Sequence, residues 1–168
     1  MRRIGLISDT HSLLRPEAEA FLKGADAIVH AGDIGDRGIL DSLAAIAPLT
    51  AVYGNNDHGP APEPLPELAW LDLGGGRQLC VIHELPRLPP GAAGADCRVV
   101  VAGHSHKPAA VVRDGVLLVN PGSAGPRRFK LPVSAGELLV TDDRILLRVV
   151  DLLSGELCAE AVLPTRPG

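Results

Sequence analysis

The fold is decided by one short stretch of sequence, Ala27-Ile28-Val29-His30-Ala31-Gly32-Asp33. Its small and apolar residues are interrupted only by His30, which is the pattern of a strand buried on both faces. Gly32 ends this strand, and Asp33 follows just past its carboxyl end, where open α/β sheets bind their ligands. Because His30 lies within the strand and not beyond it, we interpret it as a hydrogen-bonded core histidine and take Asp33 as the candidate site residue.

Further polar residues repeat the position of Asp33, each at or just beyond the end of an apolar run. They are Asp9, His11, Asn55, His83, His104 and His106. Any one of them alone has a simpler interpretation, as a helix cap, a turn residue or a core histidine. Together they would place seven oxygen and nitrogen ligands at one edge of a sheet, because the carboxyl ends of parallel strands meet there. The set predicts a site for two metal ions, with Asp33 between them.

The spacing of His104 and His106 is the most specific of these signals. In an extended segment, residues i and i+2 point to the same side, roughly 6–7 Å apart. That separation would let two imidazoles bracket a pair of metal ions about 3.5–4 Å apart. No cysteine is part of these motifs, and an oxygen and nitrogen ligand set favours Mn, Ni, Fe, Co or Zn. We expect two divalent ions, with manganese first among these.

Length, composition and charge limit the kind of protein. The chain has 168 residues, 46% hydrophobic and 21% charged, which predicts one globular domain spanning residues 1–168. The net charge is −4 and no basic stripe is present, so we expect no strong nucleic-acid binding, although a short oligonucleotide stays open as a substrate. The apolar runs are strand-sized, which predicts neither a signal peptide nor a membrane helix.

The cysteines are Cys80, Cys97 and Cys158, an odd number at wide spacing in strand-like contexts. We interpret them as buried free thiols, which is typical of a cytoplasmic protein. The expected location is therefore the cytoplasm, with no membrane partner. The sequence is also compatible with a homo-oligomer.

Hydrophobic periodicity predicts a β-α-β-α-β first half. Its strands are expected over 3–8, 27–31 and 49–53, and its helices over 16–23 and from Asp36 to Pro48. The second half is predicted to be strands: 69–73, 78–82, 98–102, a hairpin turning at Asp114-Gly115, and three antiparallel strands between about 136 and 163. We expect two sheets packed face to face, with the helices outside the parallel one.

The motifs, taken in order, resemble those of the calcineurin-like metallophosphoesterase superfamily. They are Asp9-x-His11, Gly32-Asp33, Gly54-Asn55, His83 and Gly103-His104-x-His106. The small size and the segment Asn120-Pro121-Gly122-Ser123 resemble its compact bacterial and archaeal phosphodiesterase branch. The resemblance covers about residues 3–150 and implies a four-layer α/β/β/α sandwich of two mixed sheets. It also implies the ligand sets: Asp9, His11, Asp33 and His106 for one ion, and Asp33, Asn55, His83 and His104 for the other.

The activity that this resemblance implies is hydrolysis of a small-molecule phosphate ester, most simply a phosphodiester. A hydroxide bridging the two ions would attack phosphorus in line, while the ions neutralise the phosphoryl oxygens. Metal-bound water can have a pKa near 7, so no separate general base is needed. The alternatives are a phosphomonoesterase, a nuclease, or a non-catalytic protein-binding scaffold similar to the retromer subunit of this superfamily.

Asn56 departs from the pattern of the superfamily, many members of which have a histidine that contacts the phosphate and protonates the leaving group. Asn56 can donate hydrogen bonds to a phosphate but cannot transfer a proton. His58 is the candidate replacement, and a solvated loop histidine is the alternative. Without a general acid, we expect better rates for esters with good leaving groups, such as aryl esters.

Three charged residues are further candidates for substrate contacts. Glu84 directly follows the candidate ligand His83, at a position where members of the superfamily commonly have glycine. Its carboxylate either changes the charge of the preferred substrate or points to solvent. Arg127 and Arg128 follow the Asn-Pro-Gly-Ser segment and could bind a substrate phosphate. The alternative for the two arginines is a basic pair that faces solvent.

Overall fold

The computed structural model describes residues 1–57 and 64–165. The strands in these ranges are β1 (Arg2–Ile7), β2 (Ala27–His30), β3 (Leu49–Ala51), β4 (Leu68–Gly74), β5 (Arg77–Ile82), β6 (Cys97–Val101), β7 (Ala109–Arg113), β8 (Val116–Asn120), β9 (Ser134–Val140), β10 (Arg144–Asp151) and β11 (Leu157–Pro164). The helices are α1 (Pro16–Leu22) and α2 (Gly38–Ala44), with a single 3-10 turn at Leu85–Arg87.

The strands form two mixed sheets. The first has the order β11-β10-β9-β1-β2-β3, in which β1, β2 and β3 run parallel and β9 to β11 are antiparallel. The second has the order β4-β5-β6-β8-β7, with a parallel centre and an antiparallel strand at each edge. The predicted architecture of two mixed sheets is confirmed.

The register between β1 and β2 brings the site residues to one edge of the first sheet. Ile4 lies opposite Ala27, and Ile7 lies opposite His30. Both strands therefore end at the same level, and the loops that carry Asp9 and Asp33 leave the sheet side by side. Backbone hydrogen bonds continue the pairing beyond the strands, from Asp9 N to Gly32 O at 3.0 Å.

The main core lies between the two sheets. Alternate residues of the strands point into it, among them Ile4, Leu6, Val29, Val81, Val101, Leu138 and Ile145, all fully buried or nearly so. The helices cover the other face of the first sheet, where Leu22 of α1 and Leu43 of α2 join the cluster that contains Ile7 and Ile28. The helices are thus outside the parallel strands, as predicted, because both faces of those strands need apolar cover.

The outer face of the second sheet has a thinner cover. Leu88 and Ala93, which follow the 3-10 turn, pack against Cys80, Cys97 and Val100. Pro86, Pro89 and Pro90 interrupt this segment, and a helix interior does not accommodate proline. A short turn and a loop therefore form the outermost layer on this side.

Several local expectations need correction or confirmation. Cys80 and Cys97 are buried thiols as predicted, but the expectation for Cys158 is wrong: it is exposed on β11, an edge strand with one face toward solvent. The strand expected over 49–53 ends at Ala51. His30 is fully buried and hydrogen-bonded, as expected for a core histidine.

In residues 1–57 and 64–165, no helix has the length and hydropathy needed to cross a membrane.

Candidate metal centre

The seven predicted ligands converge at the edge where the parallel strands end. Asp9 and Asp33 follow β1 and β2, Asn55 follows β3, and His83 and His104 follow β5 and β6. Each of the seven has a polar atom within 4.0 Å of a polar atom of another member. We refer to this set as the metal cluster: Asp9, His11, Asp33, Asn55, His83, His104 and His106.

One side of the metal cluster is formed by Asp9, His11 and His106. Asp9 Oδ1 lies 3.2 Å from His106 Nε2 and 3.7 Å from His11 Nε2. The two Nε2 atoms are only 3.3 Å apart, so both imidazoles point at the same small volume. A carboxylate oxygen and two imidazole nitrogens, all within 4.8 Å of one another, form a donor set that suits a first-row divalent ion.

The other side of the metal cluster contains Asp33, His83, Asn55 and His104. His83 Nε2 lies 3.3 Å from Asp33 Oδ2 and 2.9 Å from Asn55 Oδ1. His104 Nδ1 reaches the same amide oxygen at 3.1 Å. Asp33 Oδ2 is also 3.7 Å from His11 Nε2, so this carboxylate contacts both sides.

The hydrogen bonding of the Asp9 carboxylate shows whether a cation would fit at the metal cluster. Its Oδ2 accepts hydrogen bonds from Ser8 Oγ at 2.6 Å and from His104 N at 3.1 Å. Its Oδ1 is buried and has no hydrogen-bond partner among the described residues. Leaving a buried carboxylate oxygen without a donor is costly, and a metal ion would remove that cost. The donors present therefore fit a bound cation.

Five members of the metal cluster have left-handed backbone conformations. Their φ angles are +54° for Asp9, +44° for His11, +54° for Asp33, +70° for His104 and +62° for His106. Such angles cost non-glycine residues roughly 1–3 kcal/mol each and cluster at functional sites. The expected extended geometry of the His-x-His and Asp-x-His pairs is therefore wrong. Tight turns, not strand alternation, aim these side chains.

The turns are held in place by hydrogen bonds between neighbouring loops. His11 N donates to Asp33 O at 3.0 Å. Asn120, at the end of β8, donates from Nδ2 to Gly103 O and Ser105 Oγ at 2.9 and 3.0 Å. The Asn-Pro-Gly-Ser segment thus supports the loop that carries His104 and His106.

Gly54 and Gly103 allow these loops to approach each other closely. A Cβ added at Gly54 would overlap Asp33 Oδ1 and Asp33 N, and one at Gly103 would lie 2.6 Å from Asp9 Oδ2. Neither glycine needs a left-handed φ. Their role is close approach, which the sequence motif alone does not reveal.

The orientation of His83 is set by the main chain. Its Nδ1 lies 2.7 Å from Ala31 O. A carbonyl oxygen only accepts, so Nδ1 carries a proton, and a neutral His83 would present its Nε2 lone pair to the metal cluster. Burial opposes the charged form of His83, but hydrogen bonds to Asp33 and Ala31 and the charge of Asp9 outweigh burial and raise its pKa.

The same neighbours act on Asp33 and His11. Burial favours the neutral form of Asp33, but hydrogen bonds from His83 and Asn56 prevail and hold its pKa well below the usual range. For His11, burial is the largest influence and lowers the pKa despite the nearby charges of Asp33 and Asp9. The Asp33 carboxylate is therefore ionised and ready to accept a cation.

The other predicted site residues lie around the metal cluster. Asn56 donates to Asp33 through its backbone N–H and through Nδ2. His58 lies outside the described residues. Arg127 and Arg128 are exposed; Arg127 Nε donates to Leu131 O at 3.2 Å, whereas the charge of Arg128 helps to lower the pKa of His11. Glu84 is half-buried.

Asp57 is a supporting residue that the sequence analysis missed. Its carboxylate accepts hydrogen bonds from Gly54 N at 2.7 Å, Ile34 N at 2.9 Å and Gly35 N at 3.1 Å. Asp57 thereby ties the turn that carries Asn55 to the loop that carries Asp33. Its position three residues after Gly54, in a Gly-Asn-Asn-Asp turn, is the signal that could have identified it.

Comparison with known proteins shows which family shares this sequence. Residues 1–143 match the calcineurin-like phosphoesterase superfamily domain. A probable metallophosphoesterase of Methanocaldococcus jannaschii is 32% identical over 158 residues, covering 89% of this chain and 81% of the relative.

Two solved structures share the fold at lower sequence identity. Vacuolar protein sorting 29 of Cryptosporidium parvum has a TM-score of 0.79 at 22% identity, over 99% of this chain and 98% of that one. The phosphoesterase YfcE of E. coli has a TM-score of 0.72 at 24% identity, over 96% and 99%. With the domain match covering most of its length, the chain belongs to the calcineurin-like phosphoesterase superfamily.

Proposed function

We propose that this protein is a phosphodiesterase that uses two divalent metal ions. Its superfamily and its candidate ligands support a metal-dependent phosphoesterase. The observation that carries the two-ion proposal is that two sets of donor atoms lie side by side and share Asp9: Asp9 with His11 and His106, and Asp9 with Asp33 and His83. Asp33 Oδ2 also lies 3.7 Å from His11 Nε2 in the first set.

The proposed ligands follow the two sides of the metal cluster. Asp9, His11, Asp33 and His106 would hold one ion, and Asp33, Asn55, His83 and His104 would hold the other. Asp33 is the proposed shared ligand because its Oδ2 contacts His11 and His83. When bound, the ions activate water as the nucleophile and neutralise the phosphoryl oxygens. Manganese is the ion we expect first.

The residues near the metal cluster favour a substrate that is an ester with a good leaving group. Asn56 is exposed and carries an amide, which can donate a hydrogen bond to a phosphoryl oxygen but cannot protonate a leaving alkoxide. We propose His58 as the residue that supplies that proton. Arg128 is the proposed phosphate contact, since its charge already acts on His11.

Glu84 supports a preference for diesters over monoesters. It lines the cleft of about 250 Å³ next to Asn55 and His83, and also the apolar cleft next to His104. A phosphodiester carries one negative charge near neutral pH, whereas a phosphomonoester carries nearly two. A carboxylate between the two clefts repels the more highly charged ester more strongly.

The test compares hydrolysis of bis(4-nitrophenyl) phosphate and 4-nitrophenyl phosphate by metal-stripped protein refilled with Mn²⁺. Asp33→Ala serves as the blank, and calorimetry checks metal binding. We expect manganese-dependent turnover, faster for the diester and absent from Asp33→Ala. Failure of wild-type protein to bind metal would overturn the proposal, and so would bound metal without turnover of either ester; the latter would favour a protein-binding scaffold. Faster turnover of the monoester would make the protein a phosphomonoesterase.

A further inference from the structure

An apolar cleft of about 480 Å³ opens beside His104, on the outer face of the second sheet. Its floor is formed by Val100 of β6 and Leu118 of β8, and one wall by Ala109 and Val111 of β7. Leu85 and Pro86, at the 3-10 turn, also line it. None of these apolar side chains is a member of the metal cluster or supports one of its loops, so the role of the cleft is not explained by metal binding.

We propose that this cleft binds a planar, apolar ester group of the phosphodiester substrate, such as an aromatic ring. The inference rests on the proposed function. Its main support is continuity: His104 lines the cleft and also contacts Asn55 of the metal cluster at 3.1 Å. An ester group attached to a phosphate at the metal cluster therefore has the cleft directly beside it. The volume lies in the usual range for small-molecule sites.

The polar groups at the cleft favour a ring over a sugar-like group rich in hydroxyls. Asn120 lines the cleft, but its Nδ2 already donates to Gly103 O and Ser105 Oγ, and its Oδ1 accepts from Gly122 N at 2.9 Å. Apolar side chains make up most of the remaining surface. A ligand with many hydroxyls would lose hydrogen bonds to water there without replacing them.

The charged residues of the lining fit a group that is attached to an anion. Lys107 and Arg113 line the cleft along with Glu84. Two cations against one carboxylate leave the lining net positive. A net positive lining attracts the anionic phosphate to which the apolar ester group is attached.

Two neighbouring valines on β7 provide a matched pair for the test. Val111 and Val112 are both 46% exposed. Val111 pairs with Leu118 and lines the cleft. Val112 pairs with Leu117, which is buried between the sheets, so its side chain points to the opposite face. The same substitution at these positions makes the same change of charge and size, but only Val111 touches the proposed subsite.

The experiment compares Val111→Asp with Val112→Asp in the manganese-loaded protein. The substrates are bis(4-nitrophenyl) phosphate and ethyl 4-nitrophenyl phosphate, which share a leaving group and differ in the second ester group. We expect Val111→Asp to raise KM for the diaryl ester about tenfold with little change in kcat, as loss of apolar contact predicts. Val112→Asp should leave KM within about twofold. Serine at both positions is the second pair if aspartate impairs folding.

A binding measurement on metal-free protein separates this inference from the proposed function. The probe is 8-anilinonaphthalene-1-sulfonate, which carries an aromatic group and one negative charge. Its affinity should fall with Val111→Asp and not with Val112→Asp. Equal effects of both variants on KM would overturn the subsite. If wild-type protein binds Mn²⁺ but hydrolyses neither diester, the proposed function fails; probe binding that still depends on Val111 would then assign the cleft to another apolar ligand, including a side chain of a partner protein.

Discussion

Asn56 donates to both carboxylate oxygens of Asp33. The backbone N–H reaches Oδ1 and the side-chain Nδ2 reaches Oδ2, each at 2.9 Å. Asp33 Oδ2 contacts His11 on one side of the metal cluster and His83 on the other, so Asn56 fixes the orientation of the proposed shared ligand. Groups that orient a metal ligand typically change metal affinity 10- to 100-fold when removed.

Asn56→Ala removes one of these two hydrogen bonds and keeps the backbone one. We therefore expect manganese affinity about tenfold weaker by calorimetric titration, with the thermal stability of metal-free protein nearly unchanged. Unchanged affinity together with lower kcat/KM would contradict this role. It would instead indicate that the amide turns from Asp33 to the substrate phosphate in the working enzyme.

Asp9→Asn should separate metal binding from folding. The two hydrogen bonds to Oδ2 would keep the amide oxygen there and place the amide nitrogen at the Oδ1 position, facing His106. The free energy of unfolding without metal should then stay equal or rise by about 1 kcal/mol, since a buried oxygen without a donor is removed. Manganese at 100 times its Kd should stabilise the wild type by about 2.7 kcal/mol but not this variant.

Asp114→Asn is the matched control for Asp9→Asn. Asp114 is exposed in the β7–β8 turn at φ +50°, a conformation that asparagine adopts readily. The same chemical change should leave the response to manganese intact. A full metal response in Asp9→Asn, measured by denaturant unfolding, would remove Asp9 from the proposed ligands.

The architecture was predictable because few residues determine it. The run from Ala27 to Asp33 has the apolar pattern of a doubly covered strand, and it forms β2 as expected. The polar residues at strand ends could be grouped because parallel strands deliver their loops to one edge. This argument depends only on the order of strands and helices along the chain, which hydrophobic periodicity indicates.

The orientation of each side chain was not predictable from the hydrophobic pattern. The left-handed φ angles of His104 and His106 depend on hydrogen bonds between loops distant in sequence, including those from Asn120. The three backbone groups that Asp57 binds likewise come from two separate loops. Exposure of Cys158 follows from β11 being an edge strand, which its own sequence does not state. Long-range contacts decide these details.

Gly54→Ala should damage the metal centre without touching a ligand. The new Cβ would overlap the backbone N and Oδ1 of Asp33, so one of the two loops must move. We expect a loss of at least about 2 kcal/mol in unfolding free energy and weaker manganese binding. Gly38→Ala is the control: it also has an ordinary φ, its Cβ would meet only Asp36, and alanine favours the start of α2. Equal melting temperatures for both variants would contradict the close-approach argument.

Glu84→Gln should narrow the preference for diesters. Removing one charge beside the metal cluster should raise kcat/KM for 4-nitrophenyl phosphate about three- to fivefold, in line with about 1 kcal/mol for a charge pair in water-like surroundings. The diester should respond less, because it carries less charge. Glu19→Gln, exposed on α1, makes the same charge change away from both clefts and should leave the ratio unaltered. An unchanged ratio in Glu84→Gln would show that Glu84 faces solvent.

His30 is held neutral by a complete hydrogen-bond network. Its Nδ1 accepts from Gly32 N at 3.1 Å, so the proton lies on Nε2, which donates to Thr10 Oγ1 at 3.0 Å. Thr10 Oγ1 in turn donates to Ile34 O at 2.9 Å. No acceptor is available for a second ring proton in this network. Burial is the largest influence and lowers the pKa of His30 to about 4, against the opposing charges of Asp9 and Asp57.

This network predicts how stability depends on pH. The unfolded chain binds a proton at His30 near its ordinary pKa of about 6.5, whereas the folded protein resists protonation until about pH 4. The contribution of His30 is therefore complete above pH 6.5 and is lost as the pH falls toward 4. Between pH 7 and 5, metal-free wild type should lose about 2 kcal/mol more in denaturant unfolding than His30→Gln, whose amide can still donate to Thr10 but does not titrate. Parallel pH profiles for the two proteins would show that His30 is not the buried neutral group described here.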